Sequence, residues 1–249
     1  MLVCKSARRK ALCIAGATTW TFGFRASLIA VFRGARPCCF RVFLSDPLPH
    51  PMKKRQRKQL RDSLRHLRKN LLISEQKAAS TAVYDLVTKQ DFFTSANHLA
   101  FYLSFDGELN PKPMLEKAME ESKSCYLPVI SRNNQHEMSF RLYEEDTSLK
   151  ENKWGIQEPS ELRSSISPLN LEVVFVPLVG FDEKCFRLGM GKGFYDKAFH
   201  FKNENLVAKP LLVGLAYECQ RVQKVPIESW DVRLDLVVTA ERIYRSNIV

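Results

Sequence analysis

Three glycines stand within five positions of one another in the segment RLGMGKGFYD, at Gly189, Gly191 and Gly193. Glycine allows the backbone to adopt positive φ and lets backbone N–H groups approach a ligand closely. The segment follows a predicted strand and opens a predicted helix, an arrangement that favours an anion such as phosphate. Arg187 and Lys192 add cationic donors for the same anion. The segment therefore predicts a phosphate-binding loop.

Two familiar nucleotide motifs do not describe this loop. Phe194 stands where GxGxxG would have its last glycine, and Lys192 is followed by Gly193 instead of the Ser or Thr of a Walker A sequence. These departures disfavour a kinase-like or dinucleotide-binding protein, which is one alternative. Asp196, one turn into the predicted helix, is placed to hold a divalent cation that bridges phosphate oxygens.

Short apolar runs separated by helical patterns predict how the loop is positioned. Predicted strands lie at 98–104, 124–130, 138–143, 172–179, 211–217 and 236–239, and predicted helices at 113–122 and 193–201. Strands that alternate with helices predict a single α/β domain with a mostly parallel sheet flanked by helices. Residues 144–170 are polar and predict a long surface loop.

A basic N-terminal helix is predicted to precede this pattern. One apolar stripe that should pack on the domain consists of Leu60, Leu64, Leu67 and Leu71. A basic stripe about a quarter-turn away consists of Arg57, Arg61, Arg65 and Arg68. Taken alone, such an arginine stripe is more often a solvated helix face than a ligand site. Ser74 is expected to cap a second helix that runs to about Thr88.

The first 51 residues differ in composition from the rest of the chain. The 249 residues carry a formal net charge of +11, of which +7 falls in residues 1–51 and +4 in residues 52–249. The apolar stretch at 11–32 is too interrupted for a spanning helix. We interpret residues 1–51 as an unstructured or spurious extension before a domain at 52–249. The alternative is an organellar transit peptide, since the segment is rich in Arg and poor in acids.

The cysteines and the charge indicate the compartment and the partners. Seven scattered cysteines without a CxxC argue against a disulfide framework or a zinc site. We expect a cytoplasmic monomer with small-molecule substrates, no nucleic-acid partner and no membrane. An RNA-binding module that uses the basic helix is the alternative from another class. The helix carries no aromatic stacking residue between Lys53 and Ser80, which counts against that alternative.

Five separated segments resemble, in order, the 5-formyltetrahydrofolate cyclo-ligase family, whose members are also called 5,10-methenyltetrahydrofolate synthetases. They are RKQLR at 57–61, FYLSFDGELNP at 101–111, WGIQEP at 154–159, RLGMGKGFYD at 187–196 and ESWDVRLDLVVT at 228–239. The resemblance covers nearly all of 52–239. One departure is Arg57, where the family usually has lysine.

The resemblance implies an ATP-dependent ring closure in folate one-carbon metabolism. ATP would phosphorylate the formyl oxygen of 5-formyltetrahydrofolate, and N10 would attack the activated carbon. Loss of phosphate would then leave 5,10-methenyltetrahydrofolate, ADP and phosphate. Such chemistry needs positioning and charge neutralisation by backbone amides, Arg, Lys and Mg²⁺.

The resemblance also implies roles for individual residues. The implied catalytic residues are Arg187, Lys192 and Tyr195. The implied ATP-binding residues are Arg57, Lys58, Arg61, Arg187, Leu188, Gly189, Met190, Gly191, Lys192, Gly193, Phe194 and Tyr195. The implied folate-binding residues are Leu103, Glu108, Trp154, Met190, Gly191, Lys192, Gly193 and Phe194. The implied Mg²⁺ ligands are Asp196 and Asp231, with Asp235 left open as an alternative to Asp231.

Overall fold

The computed structural model describes residues 19–22, 26–29, 50–131, 137–160, 163–204 and 209–246. The chain divides into two units, Met1–Met52 and Lys53–Val249. In the first unit, β1 (Thr19–Phe22) and β2 (Ala26–Ile29) form an antiparallel hairpin. The rest of residues 1–49 lies outside the described residues, so the interpretation of 1–51 as an extension stays a prediction.

The helices lie early in the chain and next to the glycine loop. They are α1 (His50–Lys69), α2 (Ile73–Val87), α3 (Asp91–Thr94), α4 (Lys112–Glu120) and α5 (Phe194–Ala198). Single 3₁₀ turns lie at Pro168–Asn170, His200–Asn203 and Glu218–Gln220. Pro113 is the second residue of α4, in the first turn, where a backbone N–H has no acceptor within the helix. Proline lacks this N–H and is tolerated there, which explains why the helix begins where the sequence predicts.

The strands form one large sheet and two small hairpins in the second unit. The sheet contains β3 (His98–Ala100), β4 (Ser124–Ile130), β5 (Met138–Tyr143), β8 (Ser165–Ile166), β9 (Val173–Pro177), β12 (Leu211–Leu215), β13 (Leu236–Val238) and β14 (Ile243–Arg245). The hairpins pair β6 (Leu149–Glu151) with β7 (Gln157–Pro159), and β10 (Gly180–Phe181) with β11 (Arg187–Leu188).

The sheet is parallel at its centre and antiparallel at its edges. Its order is β14-β13-β12-β9-β3-β4-β5-β8, and the five strands from β13 to β4 run parallel. The edge strands β14, β5 and β8 pair antiparallel. This confirms the predicted α/β domain with a mostly parallel sheet. The chain steps from β3 outward to β4 and then returns to the other side of β3 as β9, so the strand order reverses between β3 and β9.

Apolar side chains bury both faces of the sheet. Along β9, Val173 and Phe175 join the core that includes α2, α3 and α4, whereas Val174 and Val176 join the core on the opposite face. This alternation follows from the two-residue period of a strand. A central strand that is buried on both faces reads as a continuous apolar run, which is why β9 is recognisable in the sequence.

Three predictions from the sequence were wrong in detail. The helix α2 begins at Ile73, before Ser74, because the Glu75 carboxylate accepts a hydrogen bond from the Leu72 N–H at 2.7 Å. The stretch at 144–170 contains the β6–β7 hairpin and β8 instead of one long loop. Finally, Leu67 is 49% exposed although its leucine stripe was expected to pack.

Candidate active site

A cleft of about 380 Å³ opens at the carboxyl ends of β3 and β9. Residues that directly follow β3, among them Tyr102 and Leu103, line one wall, and Leu178 at the end of β9 lines another. The strand order reverses between these two strands, and crevices at such points bind ligands in open α/β sheets. The topology therefore places the cleft where a substrate site is expected.

The glycine loop lies along the cleft between β11 and α5. Gly191 and Gly193 have φ of +93° and +71°, a region that side-chain-bearing residues rarely adopt. Gly193 also occupies the N-cap position of α5. A β-carbon at Gly191 would lie 3.3 Å from the Arg61 guanidinium, whereas a β-carbon at Gly193 would meet nothing within 4 Å. The backbone conformation thus requires glycine at both positions.

Arg187 stands at the base of this loop and is nearly buried, with 6% of its side chain exposed. Its Nη2 donates a hydrogen bond to Asp196 Oδ1 at 2.7 Å, and the guanidinium lies 5.8 Å from the centre of the Tyr195 ring. Its Nε is buried without a hydrogen-bond partner among the described residues. A buried donor without a partner costs free energy, so this nitrogen is suited to an acceptor such as a phosphate oxygen.

The basic face of α1 docks on the glycine loop. Arg61 Nε donates to the Gly189 carbonyl at 2.8 Å, and burial, together with the neighbouring Arg57, lowers the pKa of Arg61. Arg57 Nη1 donates to the Pro226 carbonyl at 2.9 Å, and the Arg57 guanidinium pairs with both Asp231 oxygens. The two arginines therefore hold the loop and the Asp231 turn against the helix.

Of the three carboxylates considered for Mg²⁺, Asp196 fits the role best. Asp196 accepts hydrogen bonds from Arg187 and from the Val232 N–H, the latter at 3.1 Å, and both end on Oδ1. The other carboxylate oxygen, Oδ2, is therefore available to bind a cation. Both Asp231 oxygens are engaged by Arg57. Asp235 lies outside the cleft and pairs with buried Lys202 at 3.0 Å.

Mg²⁺ usually takes one or two carboxylates and completes its shell with water and phosphate oxygens. Asp196 and Asp231 line the same cleft, so the donor set is compatible with Mg²⁺ bound together with a nucleotide. Within the described ranges, no group of three or more His, Cys, Asp or Glu residues is arranged to hold a metal ion by itself.

Glu108 also lines the cleft and is almost buried, with 11% of its side chain exposed. Its Oε2 accepts a hydrogen bond from the Phe105 N–H at 3.2 Å. Burial raises the pKa of Glu108 to about 7, although the nearby Arg68 guanidinium acts in the opposite direction. The carboxyl group can therefore change its protonation state near neutral pH.

The hairpin β6–β7 carries Trp154 to the cleft. Asn152 Oδ1 accepts hydrogen bonds from the Trp154 N–H at 3.0 Å and the Ile156 N–H at 3.1 Å, which closes the turn. Gly155 permits this turn with φ of +77°. The indole meets the Phe194 ring edge-on at 5.5 Å between ring centres. The two aromatic rings thus form an apolar wall beside the glycine loop.

The structure brings most of the predicted site residues together. The cleft is lined by Arg57, Leu103, Glu108, Trp154, Arg187, Gly189, Met190, Gly191, Lys192, Gly193, Phe194, Tyr195, Asp196 and Asp231. Three predicted residues do not line it. Arg61 supports the loop from α1, Leu188 is buried in β11, and Lys58 is exposed on α1. The ligand roles of all these residues stay predictions.

The sequence reasoning missed two residues near Glu108. Tyr102 lines the cleft and donates a hydrogen bond from its hydroxyl to the Leu109 carbonyl at 2.7 Å. Arg68, which was noted only as part of the basic stripe, is 0% exposed. The Asp106–Gly107 dipeptide is a common turn signal. Nothing in the local sequence indicates the cations that surround this turn in the structure.

The inward direction of the arginines argues against the RNA-binding alternative. Arg57, Arg61 and Arg68 all bind acceptors within the domain, so the basic stripe is not a solvated face. Among the described helices, no segment is both long and apolar enough to cross a membrane.

The fold and the cleft define an α/β enzyme in which a cationic glycine loop faces a buried carboxyl group. The chain belongs to the 5-formyltetrahydrofolate cyclo-ligase family, because the model of that family matches residues 53–240.

Comparisons with individual proteins agree with this membership. The chain is 38% identical to a 5-formyltetrahydrofolate cyclo-ligase of Haemophilus influenzae over 190 residues, which cover 75% of this chain and 100% of that protein. It is 38% identical to the Escherichia coli K12 enzyme of the same name, over 60% of this chain and 81% of that protein. A solved structure of Aquifex aeolicus 5,10-methenyltetrahydrofolate synthetase superposes with a TM-score of 0.66 at 29% identity, covering 78% of this chain and 94% of that one.

Proposed function

We propose that this chain carries out the reaction of its family in the cleft described above. It uses ATP to cyclise 5-formyltetrahydrofolate to 5,10-methenyltetrahydrofolate, with release of ADP and phosphate. One observation carries the assignment of the site: segments at 103–108, 154–158 and 187–196, far apart in the sequence, line a single cleft. Together they provide an anion-binding loop, an aromatic wall and a buried carboxyl group.

The glycine loop is proposed to hold the triphosphate of ATP. Its backbone amides, together with Arg187 and Lys192, supply donors for phosphate oxygens, and the unpartnered Arg187 Nε supplies one more. Phosphoryl transfer depends mainly on positioning and on neutralising the developing charge. When bound, Mg²⁺ would add further charge neutralisation, with Asp196 and Asp231 as the residues that would hold it.

The part of the cleft beside Glu108 and Trp154 is proposed to hold the folate. Glu108 as a carboxylate accepts hydrogen bonds from the amino and ring N–H groups of the pterin. Trp154 and Phe194 give the ring system an apolar surface to pack against. This places the formyl oxygen on N5 toward the glycine loop, where it receives the γ-phosphoryl group. N10 then attacks the formyl carbon, its proton is lost, and phosphate leaves.

Tyr195 contributes to this chemistry as a neutral group. Burial raises the pKa of Tyr195 above its ordinary value of 10.0, so the phenol keeps its proton at neutral pH. A protonated phenol donates a hydrogen bond and does not act as a base. We therefore assign Tyr195 to orienting a phosphate or formyl oxygen.

We further propose that the chain works as a cytoplasmic monomer. Light scattering of the active protein that gives the mass of a single chain would support the monomer, and a larger mass would refute it. Cys125, Cys185 and Cys219 are free thiols, as expected in a reducing compartment.

A direct assay tests the proposed reaction. Folded protein with 5-formyltetrahydrofolate and MgATP is expected to give the near-ultraviolet absorbance of the methenyl product, and no growth of absorbance would refute the proposal. Lys192→Met, which removes a cleft cation, is expected to lower kcat/KM for ATP about 10- to 100-fold, the effect of losing a charged hydrogen bond. Lys197→Met is the matched control, because Lys197 is exposed on α5 outside the cleft.

A further inference from the structure

Arg68 is a fully buried cation that the reaction proposed above does not use. Its Nε donates to the Asp106 carbonyl at 3.0 Å, its Nη1 to the Leu178 carbonyl at 3.1 Å, and its Nη2 to Asp106 Oδ2 at 3.0 Å. The same Nη2 lies 3.7 Å from Glu108 Oε1. One guanidinium therefore contacts the end of β9 and the loop that carries Glu108.

The turn before Glu108 needs this support, because its backbone is unusual. Asp106 has φ of +55° and Gly107 has φ of +77°. The Asp106 carboxylate pairs with Arg65, Arg68 and Lys69, all at the C-terminal end of α1. A left-handed conformation at a residue other than glycine is costly, so the surrounding contacts must hold it. The end of α1 thus fixes the turn from which Glu108 reaches the cleft.

The charged and titratable groups around Glu108 come from every element packed against it. Arg65 and Arg68 on α1 and Asp106 on its own loop act on its carboxyl group. Three phenols also face it: Tyr102 after β3, Tyr195 on α5 and Tyr217 after β12. Burial raises the pKa of Glu108 most, Arg68 opposes this rise, and Asp106 adds to it. Arg68 and Asp106 therefore act on Glu108 with opposite sign.

We propose that Arg68 is a positioning residue of the cyclo-ligase reaction, which fixes the Glu108 carboxyl group against the folate through the Asp106 turn and the Leu178 carbonyl. The inference rests on the proposed function of the cleft. Helix α1 also carries Arg57 and Arg61 to the glycine loop. A single helix therefore contacts both the glycine loop and the turn that carries Glu108.

A double-mutant cycle tests whether Arg68 acts through Glu108. Arg68→Lys keeps the positive charge but loses the guanidinium group that binds several acceptors at once. It is expected to lower kcat/KM for 5-formyltetrahydrofolate about 10- to 100-fold, because a small displacement of a group that contacts the substrate has an effect of this size. The KM for ATP should change by less than about 3-fold, since the contacts of Arg68 lie away from the glycine loop. In a Glu108→Gln background the same substitution should cost less than about 2-fold. Equal losses in both backgrounds would overturn the proposal.

Arg55→Gln is the matched control on the same helix. Arg55 is exposed on α1 and does not line the cleft. Its folate kcat/KM is expected to stay within about 2-fold of the wild-type value, as for a surface substitution away from the site. A loss as large as that of Arg68→Lys would also overturn the proposal.

The pH profile of Asp106→Asn provides a readout in a chain that keeps Arg68, so it does not depend on how an Arg68 variant folds. Asp106→Asn is tolerated at a positive φ and removes the carboxylate that raises the pKa of Glu108. The midpoint of folate kcat/KM near pH 7 should therefore move to lower pH, whereas Arg68→Met should move it to higher pH. Shifts in the same direction, or no shift, would contradict the inference. Inactive wild-type protein would refute the proposed function itself, whereas active protein without this coupling would refute only the role of Arg68.

Discussion

Replacing Gly191 with alanine tests the geometry of the glycine loop most sharply. Gly191 has φ of +93°, so an alanine there must adopt a left-handed backbone at a cost of about 1–2 kcal/mol. The new β-carbon would also lie 3.3 Å from the Arg61 guanidinium, which has to shift by a few tenths of an ångström and so distorts its 2.8 Å hydrogen bond to the Gly189 carbonyl. Weakening that hydrogen bond adds about 0.5–1.5 kcal/mol.

Gly193→Ala is the control that separates the two costs. Gly193 also has a positive φ, of +71°, but a β-carbon there meets nothing within 4 Å. In the absorbance assay with varied ATP, we expect Gly193→Ala to lower kcat/KM for ATP about 5- to 30-fold, which corresponds to the backbone cost alone. Gly191→Ala should lower it by a further factor of about 3 to 10, since about 1.4 kcal/mol is tenfold.

The comparison refutes the reasoning if the two variants lose the same activity, because displacement of Arg61 would then not matter. It also refutes the reasoning if Gly191→Ala keeps the wild-type kcat/KM for ATP. Circular dichroism and the thermal midpoint of each variant show whether the fold is retained.

Three further predictions follow from the charged groups and from the start of the domain. Asp196→Asn should abolish most turnover and lower the thermal midpoint. The reason is that Arg187, whose side chain is only 6% exposed, loses its carboxylate partner at a cost of about 3–5 kcal/mol. An unchanged midpoint and activity would remove Asp196 from the site. Since the pKa of Glu108 is raised from 4.5 to about 7, folding is favoured by its protonated form, and this stability is present below pH 4.5 and lost as the pH rises through 7. Denaturant unfolding of Glu108→Gln should lack this pH dependence, and an unaltered pH dependence would assign it to another group. A chain that begins at Met52 should keep full activity in the absorbance assay, because Arg57 is the first of the described residues to line the cleft; a large loss would assign residues 1–51 a role in the enzyme.

The fold was predictable from sequence where the local signal and the packing agree. Buried parallel strands such as β4 and β9 appear as continuous apolar runs, so their positions were recognised within one or two residues. The β6–β7 hairpin was not, because its strands, LKE and QEP, have three residues each and are mostly polar, which leaves no apolar period to read. The hairpin carries Trp154 to the cleft, and the position of Trp154 there depends on tertiary contacts that no local sequence pattern encodes.

The candidate site was predictable in its motifs and not in its internal pairing. Glycines at positive φ and cations beside them are legible as residue types, so the loop at 187–196 was recognised. The partners of the charges depend on the tertiary fold. Arg57 pairs with Asp231, 174 positions later, and Arg68 reaches Leu178, 110 positions later. A helical wheel does not separate such buried arginines from solvated ones, and for this reason Arg68 was missed.

The central claim is that the glycine loop holds the triphosphate of ATP next to the folate. The most direct measurement is a crystal structure of the chain with a non-hydrolysable ATP analogue and 5-formyltetrahydrofolate. The account predicts the phosphates within hydrogen-bonding distance of the backbone amides at 189–193 and of Arg187, with the formyl oxygen facing the γ-phosphate. A nucleotide bound elsewhere, with the loop at 189–193 in contact with neither substrate, would contradict it.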